Sequence, residues 1–470
     1  MEQQPRTWLS TRGYAIRKTT LSEADISGLK KKLTLTPKTI PGYDLAPAET
    51  YYAYMESESA LYLPKAFGLE MFKLPDVTKL PVPEAKSFEF AGTLRPEQVI
   101  ACRAVLEACH DPCRLGGLLC LPCGGGKTAC GLWLVSQLGV KTMVVAHKEF
   151  LLQQWRERIE QFLPKAKVGI IKAQNLQVEG CDIVLASLQS LSMKDYPPEI
   201  FKGFGCVLYD EVHRTSAKVF SQVFRKVVTK YTLGLTATPD RKDGLTPIFQ
   251  WNIGDIAFKQ LSRSDTVQVE VLKYFANDPD YNDVPTIISG KPNISRIINN
   301  IAFYEPRNKF ITQKLLELAA SGRRVLVMSD RRNQLECIKR LLGTTTSSGF
   351  YWGGMTQTEL KDSETKQIIL CTYKYAEEGL DLKDMSTLLL ASPKTDVVQC
   401  VGRILRQKDL PHPPLVVDIV DDFSVFPNQA RKRMTYYKSC KFDIIGSEGN
   451  EAKQKTKATQ RSESAFIEDY

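Results

Sequence analysis

The sequence predicts an α/β protein, with two parallel-sheet domains in series behind a small α+β module. Three observations predict it. Short, near-continuous apolar runs alternate with helical segments, the alternation restarts after about residue 263, and the first 90 residues read differently from the rest. Strands covered by helices on both faces give such runs, whereas half-exposed strands alternate apolar and polar residues. The first series is Gly117–Leu121, Thr142–Ala146, Ile183–Ala186 and Cys206–Tyr209. The second is Arg324–Met328, Ile368–Cys371 and Leu415–Ile419. The expected domains are residues 1–90, 91–262 and 263–445, with a polar, disordered tail over 446–470.

Within the first module, Ser22-Glu23-Ala24-Asp25 reads as a capping box opening a helix with Ile26, Leu29 and Leu33 on one face. The basic run Lys30–Lys32 on that helix reads as a solvated face. Tyr51–Tyr54 and Ala60–Leu63 flank a polar turn and predict a hairpin. The proline-rich stretch from Leu74 to Pro83 predicts a linker.

Composition sets the class. With 470 residues, 43% hydrophobic and 25% charged, most of the chain is ordinary globular protein, which excludes a collagen-like, coiled-coil or disordered chain. No apolar run approaches the ~18 residues of a membrane span, so no membrane partner is expected. The Met1–Pro5 start lacks the layout of a signal peptide, and 12 cysteines show no evenly spaced framework. An intracellular, reducing compartment is therefore the expected setting. The excess of 63 Lys+Arg over 53 Asp+Glu gives +10, compatible with a polyanionic partner.

Pro122-Cys123-Gly124-Gly125-Gly126-Lys127-Thr128 follows a strand end and precedes an apolar helix with Leu132, Trp133 and Leu134. Glycines there let backbone N–H groups approach phosphate oxygens, and a helix N-terminus adds partial positive charge. Lys127 would meet the β- and γ-phosphates of ATP, and the Thr128 hydroxyl would ligate Mg²⁺. The strict G-x-x-x-x-G-K-T spelling fails at its first position, where Leu121 stands. An incidental glycine turn would explain this segment alone. The strand Val207-Leu208-Tyr209, ending in Asp210-Glu211 about eighty residues on, argues against that. Asp210 can hold the metal, and Glu211 can orient and deprotonate an attacking water. ATP hydrolysis is the reaction these residues suit.

In the second half, Gln399 opens a segment ending in Arg403 and Arg406, three apart and hence on one face of a helix. Two guanidiniums on one face suit a phosphate, although a solvated basic face explains them equally well in isolation. Supplied from the second domain, they would confine hydrolysis to a closed interdomain cleft.

Together these segments resemble superfamily 2 helicases over Leu94–Ile419. The resemblance implies two tandem RecA-like domains with ATP and Mg²⁺ as cofactors. Leu94-Arg95-Pro96-Glu97-Gln98 is similar to the adenine-side motif, with Arg95 and Gln98 as the implied contacts. Pro122–Thr128 resembles motif I, Ala146–Leu151 motif Ia and Ala186–Leu191 motif Ic. Asp210–His213 is similar to the DExH form of motif II, here Asp-Glu-Val-His. Thr236-Ala237-Thr238 resembles motif III, Glu378-Gly379-Leu380-Asp381 motif V, and Gln399–Arg406 motif VI. These imply nucleotide contacts from Gly379, Asp381 and Gln399, and coupling through His213, Thr236 and Thr238. The L-R-P-x-Q opening and the Q-x-x-G-R-x-x-R ending resemble the XPB-like and UvsW-like DNA translocases. The first module and Val417–Arg433 resemble helicases of large DNA viruses, including the transcript-release type.

A translocase grips a strand mainly by its phosphates, across the tops of both sheets. His147, Ser187 and Gln189 in the first domain are candidates, with Ser329 and Thr372 in the second. Polar residues at strand ends also cap helices, which is the competing explanation for each. Arg431-Lys432-Arg433, like Lys30–Lys32, could add non-specific affinity, a solvated face being the competing explanation of a charge run. Cys109, Cys113, Cys120, Cys123 and Cys130 crowd together, yet on a strand, a loop and helices they should diverge, so zinc is not expected. Beside Lys127 and a helix N-terminus, the Cys123 thiol should be acidified and oxidisable. The expected activity is an ATP-dependent DNA helicase or double-strand translocase, with viral transcription or repair machinery as partners. An RNA helicase and an ATP-gated nucleic-acid clamp are the alternatives.

Overall fold

The computed structural model describes residues 4–37, 50–122, 124–212, 217–237, 244–260, 267–379, 382, 384–404 and 411–446. The tail beyond Gly446 lies outside the described residues. The chain divides into two compact units, Met1–Leu261 and Ser262–Tyr470.

The first unit opens with β1 (Thr7–Ser10), β2 (Gly13–Arg17), α1 (Glu23–Lys32), β3 (Thr34–Leu35) and β4 (Tyr51–Tyr52). β5 (Met55–Glu56), β6 (Ala60–Leu63), α2 (Lys65–Phe72) and β7 (Val77–Thr78) follow. Five strands form one sheet in the order β5-β6-β2-β1-β7. One face of it, with Leu9, Tyr14, Ile16, Leu61 and Leu63, packs on Leu29 of α1 and Phe67 and Leu69 of α2. Ser22 caps α1 as the sequence predicts: its hydroxyl accepts from the Asp25 N–H at 3.1 Å, and Asp25 accepts from the Ser22 N–H at 3.2 Å. Such a cap stabilises the helix by about 1 kcal/mol. Lys30 pairs with Glu56 at 2.7 Å, and Lys32 lies over the Phe67 ring at 5.2 Å.

Two local expectations are corrected. The hairpin joins β6 to β5, with Met55 opposite Tyr62, while β4 leaves to pair with β3. Two Tyr-rich segments separated by a polar turn do not reveal which residues pair. The proline-rich stretch is no free linker, because β7 adds to β1 in parallel. Beyond it, Glu84 accepts from the Lys141 N–H and its carboxylate pairs with the Lys141 ammonium at 3.1 Å.

Lys65, the first residue of α2, fixes the module to the sheet behind it. Its ammonium is fully buried and donates to Thr229 O at 3.1 Å, Lys230 O at 2.8 Å and Thr232 Oγ1 at 2.7 Å. Burial pushes its pKa down from 10.5 to about 7. Between those values the unfolded chain binds the extra proton, so stability grows as pH rises through the window and is lost as it falls to about 7. The thermal transition of the wild type should therefore gain on that of Lys65→Met between pH ~7 and ~9.5. Parallel pH profiles for the two proteins would contradict this assignment.

The first unit continues with α3 (Pro96–His110), β8 (Gly116–Cys120), α4 (Lys127–Leu138), β9 (Thr142–Ala146) and α5 (Glu149–Phe162). Next come β10 (Val168–Lys172), β11 (Asn175–Gln177), β12 (Ile183–Ser187), α6 (Leu188–Met193) and β13 (Cys206–Asp210). α7 (Ala217–Lys226), β14 (Tyr231–Thr236), α8 (Thr246–Ile253) and β15 (Ile256–Lys259) complete it. The sheet runs β11-β10-β12-β9-β13-β14-β8-β15 and is parallel apart from the β11 edge. Apolar clusters cover both faces, one including Val144, Leu185 and Leu208, the other Val145, Val184 and Val207. Successive strand residues point to opposite faces, so a strand buried on both reads as a nearly continuous apolar run.

The second unit begins with β16 (Gln268–Tyr274), α9 (Pro279–Asn282), α10 (Ile294–Phe303), α11 (Glu305–Ala320), β17 (Val325–Ser329) and α12 (Arg332–Leu342). β18 (Ser348–Tyr351), α13 (Gln357–Glu364), β19 (Ile368–Thr372), α14 (Tyr373–Gly379) and β20 (Thr387–Leu390) follow. α15 (Val398–Val401), β21 (Leu415–Asp421), α16 (Phe426–Ser439) and β22 (Asp443–Gly446) end it. Its seven strands are all parallel, in the order β18-β19-β17-β20-β21-β16-β22. β21 is buried along its whole length yet carries Asp418 and Asp421, and each meets one arginine. Asp418 takes two bonds from Arg433 at 2.8 Å, and Asp421 takes 2.6 and 2.9 Å bonds from Arg307. Removing one partner from such a buried pair costs about 3–5 kcal/mol. Arg433 is thus an internal residue, only 2% exposed, and the expectation of a basic surface cluster fails at that position.

Candidate active site

In the first unit the candidate residues gather at the C-terminal edge of the parallel sheet, where α/β proteins place their ligands. β8 delivers the loop that runs into α4, β13 delivers Asp210 and Glu211, and β14 lies between β8 and β13. Thr236, at the end of β14, is buried opposite Cys120, and its carbonyl accepts from the Leu121 N–H at 3.1 Å. Thr236 therefore lies directly beside the 122–128 loop.

The loop is held from outside by Arg95 and Gln98. Gln98 accepts from the Arg95 N–H at 2.9 Å and donates to Gly125 O at 3.0 Å, while Arg95 Nη2 donates to Gly125 O at 2.9 Å. Both side chains bond a carbonyl of the loop, a positioning role that the reading of them as adenine contacts did not include. Gly126 has φ +81°, and a Cβ there would lie 2.1 Å from Gln98 Nε2. Only glycine fits between the left-handed turn and that amide. Pro122, Gly124 and Gly125 form the remaining described wall of the loop, with the Gly125 N–H donating to Pro122 O at 2.9 Å. Lys127 and Thr128 open α4, whose N-terminus offers its N–H groups to an anion. Cys123 lies outside the described residues.

Lys127 reaches Glu211, Nζ to Oε1 at 3.4 Å. Glu211 sits at φ +49°, a left-handed conformation that costs a side-chain-bearing residue ~1–2 kcal/mol. Asp210 is 8% exposed and accepts from the Trp155 indole N–H at 2.8 Å. Burial, then repulsion by the adjoining Glu211 carboxylate, pushes Asp210 up to about 7, against the pull of Trp155 and Lys127. A buried carboxylate with a second acid beside it is relieved by a cation, so this donor set fits a divalent ion. Asp210 and Thr128 are the residues that could hold one.

Nearby on the same edge, Gln189 Nε2 donates to His147 O at 2.5 Å, and the Ser187 hydroxyl lies 3.4 Å from Gln189 Oε1. Ser187 also caps α6. His213 and Thr238 lie outside the described residues.

In the second unit, α14 ends at Gly379, and Asp381 lies outside the described residues. Gln399 is on α15, which is only four residues long. Arg403 follows that helix, its N–H donating to Cys400 O at 3.1 Å in a tight turn. The expectation that Arg403 lies within a helix is corrected, because α15 stops at Val401; Arg406 lies outside the described residues. Ser329 and Thr372 end adjacent strands opposite each other. Thr372 is half-buried, but Ser329 is wholly buried, bonding Gln334 at 2.6 Å and accepting from the Arg331 N–H at 3.0 Å. Ser329 therefore orders its loop and is no candidate for touching a strand.

Sequence reasoning missed Trp155. On an amphipathic helix a tryptophan reads as core, which it also is; only a buried polar partner betrays the second use of its N–H. Among the described residues no cysteine-containing cluster could hold a metal, and the described cysteines are free thiols.

Residues 91–241 match the family of the type III restriction enzyme res subunit. The chain is 33% identical over 453 residues to "Putative ATP-dependent RNA helicase L396" of Acanthamoeba polyphaga mimivirus, covering 93% of this chain and 86% of that protein. It is 25% identical over 347 residues to "Probable helicase D10" of Escherichia phage T5, covering 71% and 73%. A solved structure, T4 UvsW, aligns with 91% of this chain and 96% of its own at 18% identity and a TM-score of 0.37. The chain belongs to the superfamily 2 helicases, in the group found in large DNA viruses.

Proposed function

We propose that this member of the helicase family is an ATP hydrolase that drives movement along DNA. The observation that carries the reading is the juxtaposition of Lys127 and Glu211 beside the buried Asp210, at the mouth of a glycine loop that opens a helix. Lys127 and the α4 N-terminus would bind the phosphates, and Glu211 would orient the water and take its proton. Thr128 and Asp210 would hold Mg²⁺, which when bound supplies neutralising charge on the phosphates. Arg403 and Arg406 would act on the same nucleotide from the second unit, so that turnover requires both units. The DEVH spelling and the L-R-P-x-Q opening support DNA as the track.

ATP turnover should rise more with duplex DNA than with single-stranded RNA of equal length. The reverse order would establish the second reading, an RNA helicase, which the name of the mimivirus relative favours. Trp155→Phe should keep the packing but lose the bond to Asp210. Supporting bonds of this kind are worth about 10–100-fold in metal affinity. The Mg²⁺ concentration for half-maximal turnover should rise accordingly, and an unchanged Mg²⁺ requirement would dismiss the role of Trp155.

A further inference from the structure

One face of the N-terminal five-stranded sheet packs on α1 and α2; on the other, Trp8 and Tyr62 are half-buried, and toward β5 the residues Met55, Tyr62 and Arg12 line a cavity shared with Phe224, Arg225 and Asn252. Across this second face the strand register sets Val77, Trp8, Ala15, Tyr62 and Met55 in a single row from β7 to β5. Ala15 is small, so the Trp8 and Tyr62 rings meet edge to face above it, with centroids 6.4 Å apart. Three cations surround them. Lys79 lies 5.0 Å and Arg17 5.8 Å from the Trp8 ring, and Arg12 lies 5.4 Å from the Tyr62 ring.

Arg12 and Lys79 are exposed, and none of the three cations has a carboxylate partner among the described residues. Nearby Glu56 is already taken by Lys18 and Lys30, and Asp76 by the Arg6 and Thr7 N–H groups. An exposed cation–π contact is weak, so Arg12 and Lys79 can leave their rings for a stronger anion, whereas half-buried Arg17 is also held by Pro5 O at 3.2 Å.

An apolar partner would satisfy the rings and strand the cations, whereas an acidic peptide would do the opposite. A duplex offers phosphates but keeps its bases stacked within. Single-stranded nucleic acid presents unstacked bases and phosphates in alternation, and so matches both. We propose that this face is a single-strand platform, with Trp8 and Tyr62 stacking on bases while Arg12 and Lys79 hold phosphates. It is separate from the residues assigned to ATP and needs no hydrolysis.

The test is fluorescence anisotropy of the full chain, without nucleotide, on oligothymidylate, oligouridylate and a blunt DNA duplex of equal length. The two single strands distinguish DNA from RNA as the source of the bases. Trp8→Ala and Tyr62→Ala should each weaken single-strand binding by about 5–100-fold and leave duplex binding within about twofold. Trp8→Phe, which keeps a ring, should bind within about threefold of wild type. The double variant Arg12→Gln/Lys79→Gln, changing exposed groups only, should lower the salt slope for single strands by about 1–2. Unchanged single-strand affinity in the alanine variants, equal losses on duplex, or an unaltered salt slope in the double variant would overturn the platform. Basal ATP turnover should be unaffected in all of them, so a failed platform and a failed motor give different results.

Discussion

Glu211→Gln is expected to lose about 10²–10⁴-fold in ATP turnover while still binding ATP. The substitution keeps the shape of the side chain and removes its capacity to take a proton. Because the pair with Lys127 at 3.4 Å is also weakened, nucleotide affinity should hold or rise. Lys127→Ala is expected to differ. It removes the charge that meets the phosphates, so binding and turnover should fall together. Normal turnover in Glu211→Gln would exclude it as the base, and normal ATP affinity in Lys127→Ala would exclude the loop as the phosphate site. Measuring bound nucleotide and released phosphate in the same samples separates these outcomes.

The second large effect concerns the arginines. Guanidiniums that stabilise a transferring phosphoryl group are worth about 10³–10⁵ in rate. Arg403→Ala and Arg406→Ala should therefore bind ATP as the wild type does and fail to turn it over. Lysine should not rescue either, because a point charge lacks the planar fork. Loss of binding without a separate loss of turnover would assign these arginines to nucleotide capture. Full turnover in both variants would place them outside the chemistry.

Much of this site is legible in the sequence, for a physical reason. Strands buried on two faces, such as Thr142–Ala146 and Cys206–Asp210, are nearly continuous apolar runs, so they stand out against amphipathic helices. Loops at their C-terminal ends then carry the few polar residues whose spacing chemistry fixes, which is why the 122–128 loop and Asp210-Glu211 are readable. What stays hidden depends on partners distant in the chain. Trp155 shows nothing of its bond to Asp210, and Gln98 nothing of its grip on Gly125. Ser329 reads like any polar residue ending a strand, and its burial follows from Gln334. Glu211 carries no mark of its positive φ, since glutamate has no preference for that conformation. Arg433 sits in a basic run that looks like surface; the signal was Asp418, one of two aspartates in a strand that otherwise reads as buried, because a buried carboxylate needs a partner.

Amide hydrogen exchange on full-length Glu211→Gln, with and without saturating Mg²⁺–ATP, tests the central claim most directly. The account predicts slowed exchange at the N–H groups of Gly124–Cys130, where the loop enters α4. Saturating nucleotide that leaves those amides unprotected, while protecting another segment, would contradict it.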